Sequence, residues 1–200
     1  MSSDSRKPAH FLERRTVQIV ISEGLSELIY LNTLRAKFEG MPINKVNARG
    51  GDIKRLKKEC EKLIAEKDER DMIAVVMDMD EKDSGTVLDF ERWCSERNIE
   101  LYVSNPSFEV FLLMHFEDVK GNLSQTDLEE ALSRHMGRKY EKSRGIKFTN
   151  QSFEEAVARA KKSVQGKNSP VRKVSVTKGT TNIHLLACKI AKNEVNKKIE

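Results

Sequence analysis

The sequence predicts an α/β fold in which a mainly parallel sheet is flanked by helices. Apolar segments with strand character alternate with longer segments whose apolar residues recur at helical spacing. The strand segments are apolar almost throughout, which is typical of strands that are covered on both faces. The repeated order of strand and helix is that of βαβ units, which build parallel sheets.

Local patterns give the elements of this fold in chain order. The first strand is β-branched and ends at the turn residues Ser22, Glu23 and Gly24, and Asp52 is placed to cap a strongly charged helix. The predicted elements are a strand over 16–22, a helix over 26–40, a strand over 43–48, a helix over 53–70, a strand over 72–78, a helix over about 85–97 and a strand over 99–104.

The pattern changes after Pro106. The segment 108–116 is a compact apolar helix, and helical patterns follow at 124–137, 152–166 and 181–200. The stretches 137–151 and 166–179 are predicted to be basic loops. We therefore expect a flexible leader over 1–15, an α/β core over 16–117, and a basic, mainly helical C-terminal extension over 118–200 that packs on the core.

The net charge of +5 is unevenly distributed along the 200 residues. The segment 137–200 holds 16 Lys or Arg residues against 5 Asp or Glu residues, so the preceding part of the chain is acidic. This asymmetry favours contact with nucleic acid, and a solvated, lysine-rich helical surface is the alternative. The candidate nucleic-acid-binding residues are Arg138, Lys139, Arg144, Lys147, Arg172, Lys173 and Lys178.

Other features exclude several classes of protein. Cys60, Cys94 and Cys188 are widely spaced and form no CxxC pattern, so neither a disulfide framework nor a zinc site is predicted. No apolar run approaches the roughly 18 residues that span a bilayer, and the N-terminus lacks the apolar segment of a secretory signal. We expect a cytoplasmic protein without a membrane segment.

Acidic residues follow two of the predicted strands. Glu23 comes after the first strand, and Asp78 and Asp80 end the third strand. In a parallel sheet these carboxylates meet at the C-terminal edge, where they would repel one another unless a cation lay among them. Oxygen ligands without His or Cys favour Mg²⁺ or Mn²⁺. The alternative is that the Asp-x-Asp pair only forms a turn or a helix cap.

Three segments resemble the motifs of a known family. ISEGLSELIYL is similar to the EGxxTExxYF segment of RloB-like proteins, VVMDMD to their VxDxD segment, and SNPSFEVFLLMHF to their SNPxFExWLLxHF segment. These proteins belong to the Toprim superfamily, with topoisomerases, primases and the nucleases of OLD-type ATPases. The resemblance covers 16 to about 117 strongly and reaches the end of the chain weakly, through TTNIHLLACKI. Ser22 and Phe111 depart from the family's usual Cys and Trp, at positions that concern packing more than metal chemistry.

The resemblance implies a Toprim-like, Rossmann-like fold and a set of catalytic residues. Glu23, Asp78 and Asp80 correspond to the residues that hold Mg²⁺, and Glu27 matches a second acidic position of Toprim nucleases, one helical turn after Glu23. Such a set could hold two metal ions. Lys178 is a candidate for the late lysine of OLD-type nucleases.

Three further residues keep open roles at this stage. Glu109 is either a metal ligand or orienting base, or an acidic residue whose charge interacts favourably with the dipole of the helix in whose first turn it lies. His115 is expected to be structural rather than a general base. His184 is expected to face the core, with membership of the site as the alternative.

The expected function is that of a metal-dependent endonuclease in prokaryotic defence against phage, working with a separate ATPase partner of the RloA or OLD type. The resemblance implies the defence role and the partner. DNA and RNA are both open as substrates, and so is a homo-oligomer. The alternative is a catalytically silent module that binds nucleic acid or the ATPase partner. A phosphoacceptor receiver domain is disfavoured, because Glu23 and Gly24 replace the acidic pair expected after its first strand.

Overall fold

The computed structural model describes residues 17–21, 24–47, 52–66, 71–80, 82–166 and 169–191. Within these residues the chain has a mixed α/β fold with eight helices and five strands. The strands are β1 (Val17–Ile21), β2 (Ile43–Asn47), β3 (Met72–Asp78), β4 (Ile99–Asn105) and β5 (Thr180–Thr181). The helices are α1 (Leu25–Lys37), α2 (Ile53–Glu66), α3 (Ser84–Ser95), α4 (Glu109–Leu113), α5 (Gln125–Met136), α6 (Asn150–Ser163), α7 (Pro170–Val176) and α8 (Ile183–Ala191).

The strands form one mixed sheet in the order β2-β1-β3-β4-β5. The pairs β1–β2, β1–β3 and β3–β4 are parallel. The short strand β5 pairs antiparallel with the end of β4, where Ser104 faces Thr181 and Asn105 faces Thr180. The four strands predicted from the sequence are therefore present, and β5, which has only two residues, gives no periodic signal in the sequence.

Both faces of the sheet are covered by helices. Along β3, Ile73, Val75 and Met77 belong to one apolar cluster, whereas Ala74 and Val76 belong to the other. The first cluster contains buried residues of α2, α3 and α7, and the second contains buried residues of α1, α4, α5, α6 and α8. Since successive side chains of a strand point to opposite faces, a strand covered on both sides has to be apolar at every position.

The prediction of a loop over 166–179 is wrong for its central part, because Pro170–Val176 form α7. Ser169 caps this helix by accepting a 3.1 Å hydrogen bond from the backbone N–H of Arg172. Pro170 occupies the first turn, where its missing N–H costs nothing. The valines of this segment have weak helix propensity, which explains why its sequence pattern did not predict a helix.

The predicted basic loop that follows α5 lies between two well-defined helix ends. Gly137 ends α5 in the left-handed conformation, with φ of 63°. Thr149 caps α6 by accepting a 3.1 Å hydrogen bond from the backbone N–H of Ser152. We call the segment 138–148 the α5–α6 loop.

Two further observations bear on the sequence analysis. Cys60, Cys94 and Cys188 form no disulfide bond with one another, and burial raises the pKa of Cys60 to about 12. None of the helices in the described ranges combines the length and the apolar character that crossing a membrane requires.

Candidate metal centre

Asp78 is the last residue of β3 and lies at the carboxyl edge of the parallel strands. The pleat of the strand directs its side chain to the same face as Ala74 and Val76, the face that α1 and α4 cover. Asp78 is only 6% exposed, and its Oδ1 atom has no hydrogen-bond partner among the described residues. Burial, followed by the negative charges of Glu27 and Glu109, holds the pKa of Asp78 well above its ordinary value.

Glu27 approaches this edge from α1. The buried side of the helix also contains Tyr30, Leu31 and Leu34, which lie three, four and seven residues later and therefore on the same face as Glu27. An acidic residue thus occupies the place of an apolar one at the start of this stripe, and Glu27 is 3% exposed. The carboxylate is turned inward because the helix face that carries it packs on the sheet.

Asp80 stands in the turn that follows β3. Its backbone adopts a left-handed conformation with φ of 43°, and its N–H donates a 2.9 Å hydrogen bond to the carbonyl of Pro106. Lys82 folds over this turn, with its Nζ atom 3.1 Å from the carbonyl of Asp78 and 3.5 Å from Oδ2 of Asp80. The side chain of Asp80 is 44% exposed, so this carboxylate faces the open side of the site.

Glu109, the first residue of α4, is held by hydroxyl groups. Ser26 donates a 2.9 Å hydrogen bond and Tyr140 a 3.0 Å hydrogen bond to Oε1, and Ser107 donates a 2.8 Å hydrogen bond to Oε2. Burial by itself raises the pKa of Glu109, but the Lys142 ammonium and these hydrogen bonds outweigh it, so the pKa lies below its ordinary value. Glu109 therefore remains ionised, although it is only 1% exposed.

The α5–α6 loop brings two residues to the site that the sequence analysis missed. The hydroxyl of Tyr140 lies 3.2 Å from that of Ser26, in addition to its bond to Glu109. Nζ of Lys142 lies 3.8 Å from Oε1 of Glu109. Nothing in the sequence separates Lys142 from the other lysines of this basic segment, so only the folded loop identifies it.

The donor set fits a hard cation in part. Among the described residues, no group of three His, Cys, Asp or Glu side chains is arranged to hold a metal ion by itself. Glu23, the predicted ligand after β1, lies outside the described residues. The buried Oδ1 atom of Asp78 is the kind of oxygen that Mg²⁺ or Mn²⁺ would satisfy. The residues present therefore fit such a site if at least one further donor completes it.

Lys178 lies at the same edge of the sheet as Asp78. The next residue, Gly179, donates a 2.8 Å hydrogen bond from its backbone N–H to the carbonyl of Asn105, at the end of β4. The Lys178 side chain is exposed. The structure thus places Lys178 beside the candidate site, but among the described side chains it forms no ion pair with the carboxylates of that site.

The other predicted nucleic-acid-binding residues fall on two segments. The α5–α6 loop holds four of them, of which Arg144 pairs with Glu141 at 3.1 Å and Arg138 donates a 3.4 Å hydrogen bond to the carbonyl of Gly145. Helix α7 holds the remaining pair, and its end is fixed to β4 by a 2.8 Å hydrogen bond from Asn105 to the carbonyl of Val174. The residues concerned are Arg138, Lys139, Arg144 and Lys147 on the loop and Arg172 and Lys173 on the helix.

Both buried histidines have environments that keep them neutral. His115 lies 3.0 Å from the hydroxyl of Tyr30 and packs against Phe111 and Phe148, and burial lowers its pKa to about 3. Burial likewise lowers the pKa of His184 to about 4. His184 is buried, as expected, and the structural role of both histidines stays a prediction.

Comparison with known protein families gives one match. The model of the RloB-like protein family matches residues 18–190 of this chain. No curated protein and no solved structure matches the chain. The family match confirms the resemblance that the three sequence motifs indicate. The chain therefore belongs to the RloB-like protein family.

Proposed function

We propose that this protein is a Mg²⁺- or Mn²⁺-dependent nuclease that hydrolyses phosphodiester bonds in DNA or RNA, and that its α/β part is of the Toprim type. The observation that carries the proposal is the buried carboxylate of Asp78, with one oxygen lacking a partner among the described residues. Glu27 and Asp80 are negative groups that act on Asp78 at the carboxyl edge of the sheet, where α/β proteins build their sites.

The energetics of this cluster support a functional role. A buried carboxylate is unfavourable unless it is paired, and like charges nearby add to the cost. The Lys142 charge lowers the pKa of Asp78, but burial and the charges of three acidic residues outweigh it. Clusters that are strained in this way concentrate at functional sites.

Different residues of the chain would bind the metal ion and the nucleic acid. Asp78, Glu27 and Asp80, together with Glu23, would hold the cation and orient the substrate beside it. The bound ion would supply Lewis-acid stabilisation of the phosphate and activation of the attacking water. The basic residues of the α5–α6 loop and of α7 would bind the nucleic-acid backbone, without selecting a sequence.

Membership of the RloB-like family supports a biological context for this activity. We propose a cytoplasmic effector of anti-phage defence that works with a separate ATPase of the RloA or OLD type, and that could form a homo-oligomer. Such a partner would deliver the substrate or release the activity when phage infection is sensed.

A binding module without turnover is the second candidate function. One observation favours it: no three acidic, His or Cys side chains in the described ranges are grouped to hold a metal ion by themselves. In this alternative the carboxylate edge binds a basic segment of the ATPase partner, and the basic loop binds nucleic acid. Metal binding and cleavage distinguish the two candidates.

The test uses the purified full-length chain and two kinds of substrate. Supercoiled plasmid and total tRNA are incubated separately with the protein in Mg²⁺, in Mn²⁺ and in EDTA, and Mn²⁺ binding is measured by calorimetry. The chain carrying both Asp78→Ala and Asp80→Ala removes two carboxylates of the site. Asp89→Ala is the control, because Asp89 is an exposed carboxylate on α3 that pairs with Arg92.

The nuclease proposal predicts metal-dependent cleavage by the wild type and the control, and its loss in the double variant. A folded wild-type protein that neither binds Mn²⁺ nor cleaves either substrate would overturn it and leave the binding module. Binding of Mn²⁺ without cleavage would direct the next experiment to the ATPase partner.

A further inference from the structure

Lys142 on the α5–α6 loop is a basic residue that the fold brings to the carboxylate site from the C-terminal part of the chain. Its Nζ atom lies 3.8 Å from Oε1 of Glu109, which is buried, while 48% of the lysine side chain remains exposed. Burial by itself lowers the pKa of Lys142, but Glu109, Asp78 and Glu27 outweigh it and raise the pKa. The ammonium therefore stands between the carboxylates and the solvent.

The loop around Lys142 is fixed on both sides. Before it, Tyr140 is buried, its hydroxyl bonds to Glu109, and its backbone N–H donates a 2.9 Å hydrogen bond to Oγ of Ser133 in α5. After it, Gly145 is buried with φ of 56°, and a Cβ atom at this position would lie 2.8 Å from Cγ2 of Ile29. The close approach to α1 on one side and the tyrosine on the other hold Lys142 over the site.

Stability does not account for this arrangement. Glu109 is buried, but the Lys142 side chain is half-exposed and the two atoms are 3.8 Å apart, which is longer than a hydrogen bond, so the pair contributes little to the stability of the fold. Glu109 already has three hydroxyl donors, so it does not require the lysine as a hydrogen-bond partner. About half of the Lys142 side chain is exposed, so its ammonium can donate hydrogen bonds to a ligand that enters from solvent.

A positive charge at this site would offset the repulsion between its carboxylates and a substrate phosphate. A nucleic-acid phosphate is negative, and the carboxylates of Asp78, Glu27 and Asp80 repel it. A compact ammonium at the rim can bind a phosphate oxygen and stabilise the charge that develops there during hydrolysis. Lys178, which the sequence pattern favoured for this task, forms no ion pair with these carboxylates among the described residues.

On the basis of the proposed nuclease function, we propose that Lys142 is a catalytic residue that binds an oxygen of the scissile phosphate. Glu109 and Tyr140 are then positioning residues that hold the lysine through charge and through the loop. The substrate feature recognised by Lys142 is the phosphate itself, so the same contact serves DNA and RNA.

The experiment compares Lys142→Met and Lys142→Arg with Lys62→Met. Lys62 is a control of similar exposure, 54%, and pairs with Glu59 within α2. Mn²⁺ affinity is measured by calorimetry without nucleic acid, single-turnover cleavage is measured on the substrate that the wild type cleaves, and urea unfolding checks the fold. The metal affinity is a readout that does not depend on activity.

The proposal predicts opposite effects on the two readouts. Lys142→Met removes a positive charge next to the metal site, so Mn²⁺ affinity rises by about three- to tenfold. Cleavage falls by about 100-fold or more, because a donor to the transition state is lost. Lys142→Arg keeps the charge and retains the wild-type Mn²⁺ affinity and part of the activity, and Lys62→Met behaves as the wild type.

Two outcomes would overturn the inference. Unchanged Mn²⁺ affinity in a folded Lys142→Met protein would show that the ammonium does not act on the site, even if no cleavage is seen with any variant. Wild-type cleavage by this variant would show that the lysine does not contact the reacting phosphate. Failure of the proposed function has a different result, since the wild type itself then neither binds Mn²⁺ nor cleaves.

Discussion

The hydroxyl of Tyr140 donates a 3.0 Å hydrogen bond to Glu109, from a loop that lies 31 residues further along the chain. Both residues are buried, and the bond joins the α5–α6 loop to the helix that follows β4. Through this contact the C-terminal part of the chain reaches the carboxylate edge of the sheet.

Replacement of Tyr140 by Phe tests this connection. A hydrogen bond to a charged, buried group contributes about 1.5–3 kcal/mol, and Glu109 keeps the two serine hydroxyls in the variant. We expect the free energy of unfolding to fall by about 1–2 kcal/mol. Cleavage should fall as well, with Mn²⁺ affinity kept within about threefold, because the loop that carries Lys142 loses one anchor.

Tyr102→Phe is the matched control for this loss. Tyr102 is also buried and donates a hydrogen bond to Glu100, which is part-exposed and lies on β4. We expect its unfolding free energy to change less than that of Tyr140→Phe, with unchanged cleavage. Wild-type stability and wild-type activity in Tyr140→Phe would contradict the anchoring role.

Asp78→Asn is expected to stabilise the protein in the absence of metal. The pKa of Asp78 is raised in the folded state, so the folded protein holds a proton that the unfolded chain releases above its ordinary pKa. Stability from this group is therefore full at low pH and is lost as the pH rises toward the folded pKa. At pH 8 in EDTA we expect the free energy of unfolding of the variant to exceed that of the wild type by about 1–3 kcal/mol, because the buried charge is gone.

The same pair of proteins should respond differently to Mn²⁺. Wild type at a metal concentration of 100 times Kd gains about 2.7 kcal/mol of stability, whereas Asp78→Asn gains little. The control is Asp89→Asn, which changes an exposed carboxylate on α3 and should match the wild type in both conditions. Urea unfolding with and without metal measures these changes. If Asp78→Asn is less stable than the wild type in EDTA, the buried carboxylate of Asp78 does not destabilise the metal-free protein, and the interpretation is wrong.

His115 should make the protein less stable in mild acid. Its pKa is about 3 in the folded state, below its ordinary value of about 6.5. Between these two values the unfolded chain binds a proton that the folded protein does not bind, so stability falls as the pH decreases, by up to about 1.4 kcal/mol per pH unit. Burial lowers the pKa of His184 to about 4, so this residue also makes the protein less stable as the pH decreases.

His115→Gln should therefore flatten the loss of stability between pH 7 and pH 5 without abolishing it. His135→Gln is the control, because His135 is part-exposed and lies 3.0 Å from Glu117 at the surface. Urea unfolding at several pH values gives the slopes. A slope for His115→Gln equal to that of the wild type would show that His115 binds a proton equally in the folded and unfolded states, so that folding does not lower its pKa.

Gly40 fixes the approach of α8 to the end of α1. A Cβ atom at this position would lie 2.2 Å from the carbonyl oxygen of Ile190, so Gly40→Ala requires backbone movement. We expect a loss of about 3 kcal/mol in unfolding free energy from overpacking. Gly121→Ala is the control: its Cβ would meet open space, and only its φ of 82° makes alanine unfavourable, by about 1 kcal/mol. Equal losses in the two variants would mean that α8 shifts at little cost.

The elements of the α/β part could be predicted from the sequence, because each has a local signal of sufficient length. The strand β3 has seven residues, and its apolar run ends at Asp78. The strand β5 was not predicted, because two residues are too few to show an alternating pattern. The helix α7 was not predicted, because a valine-rich segment of seven residues resembles a loop or a strand. Short elements depend on their neighbours rather than on their own pattern.

The candidate site could be predicted in part for the same reason. Asp78 and Asp80 were identified because they end a strand, and Glu27 and Glu109 because they lie in motifs of the family. The role of Glu109 stayed open, since only the structure shows the hydroxyl donors of Ser26, Ser107 and Tyr140 around it. Lys142 was not selected among the 16 basic residues of its segment, because charge alone does not tell which lysine faces inward.

The sequence by itself therefore determined the alternation of strands and helices, the position of Asp78 at the end of β3, and membership of the RloB-like family. The tertiary structure decided which groups surround that carboxylate. Tyr140 meets Ser26 across 114 residues of chain because α1, α4 and the α5–α6 loop pack on one face of the sheet. Contacts of this kind follow from packing of distant elements, which residue periodicity along the chain does not encode.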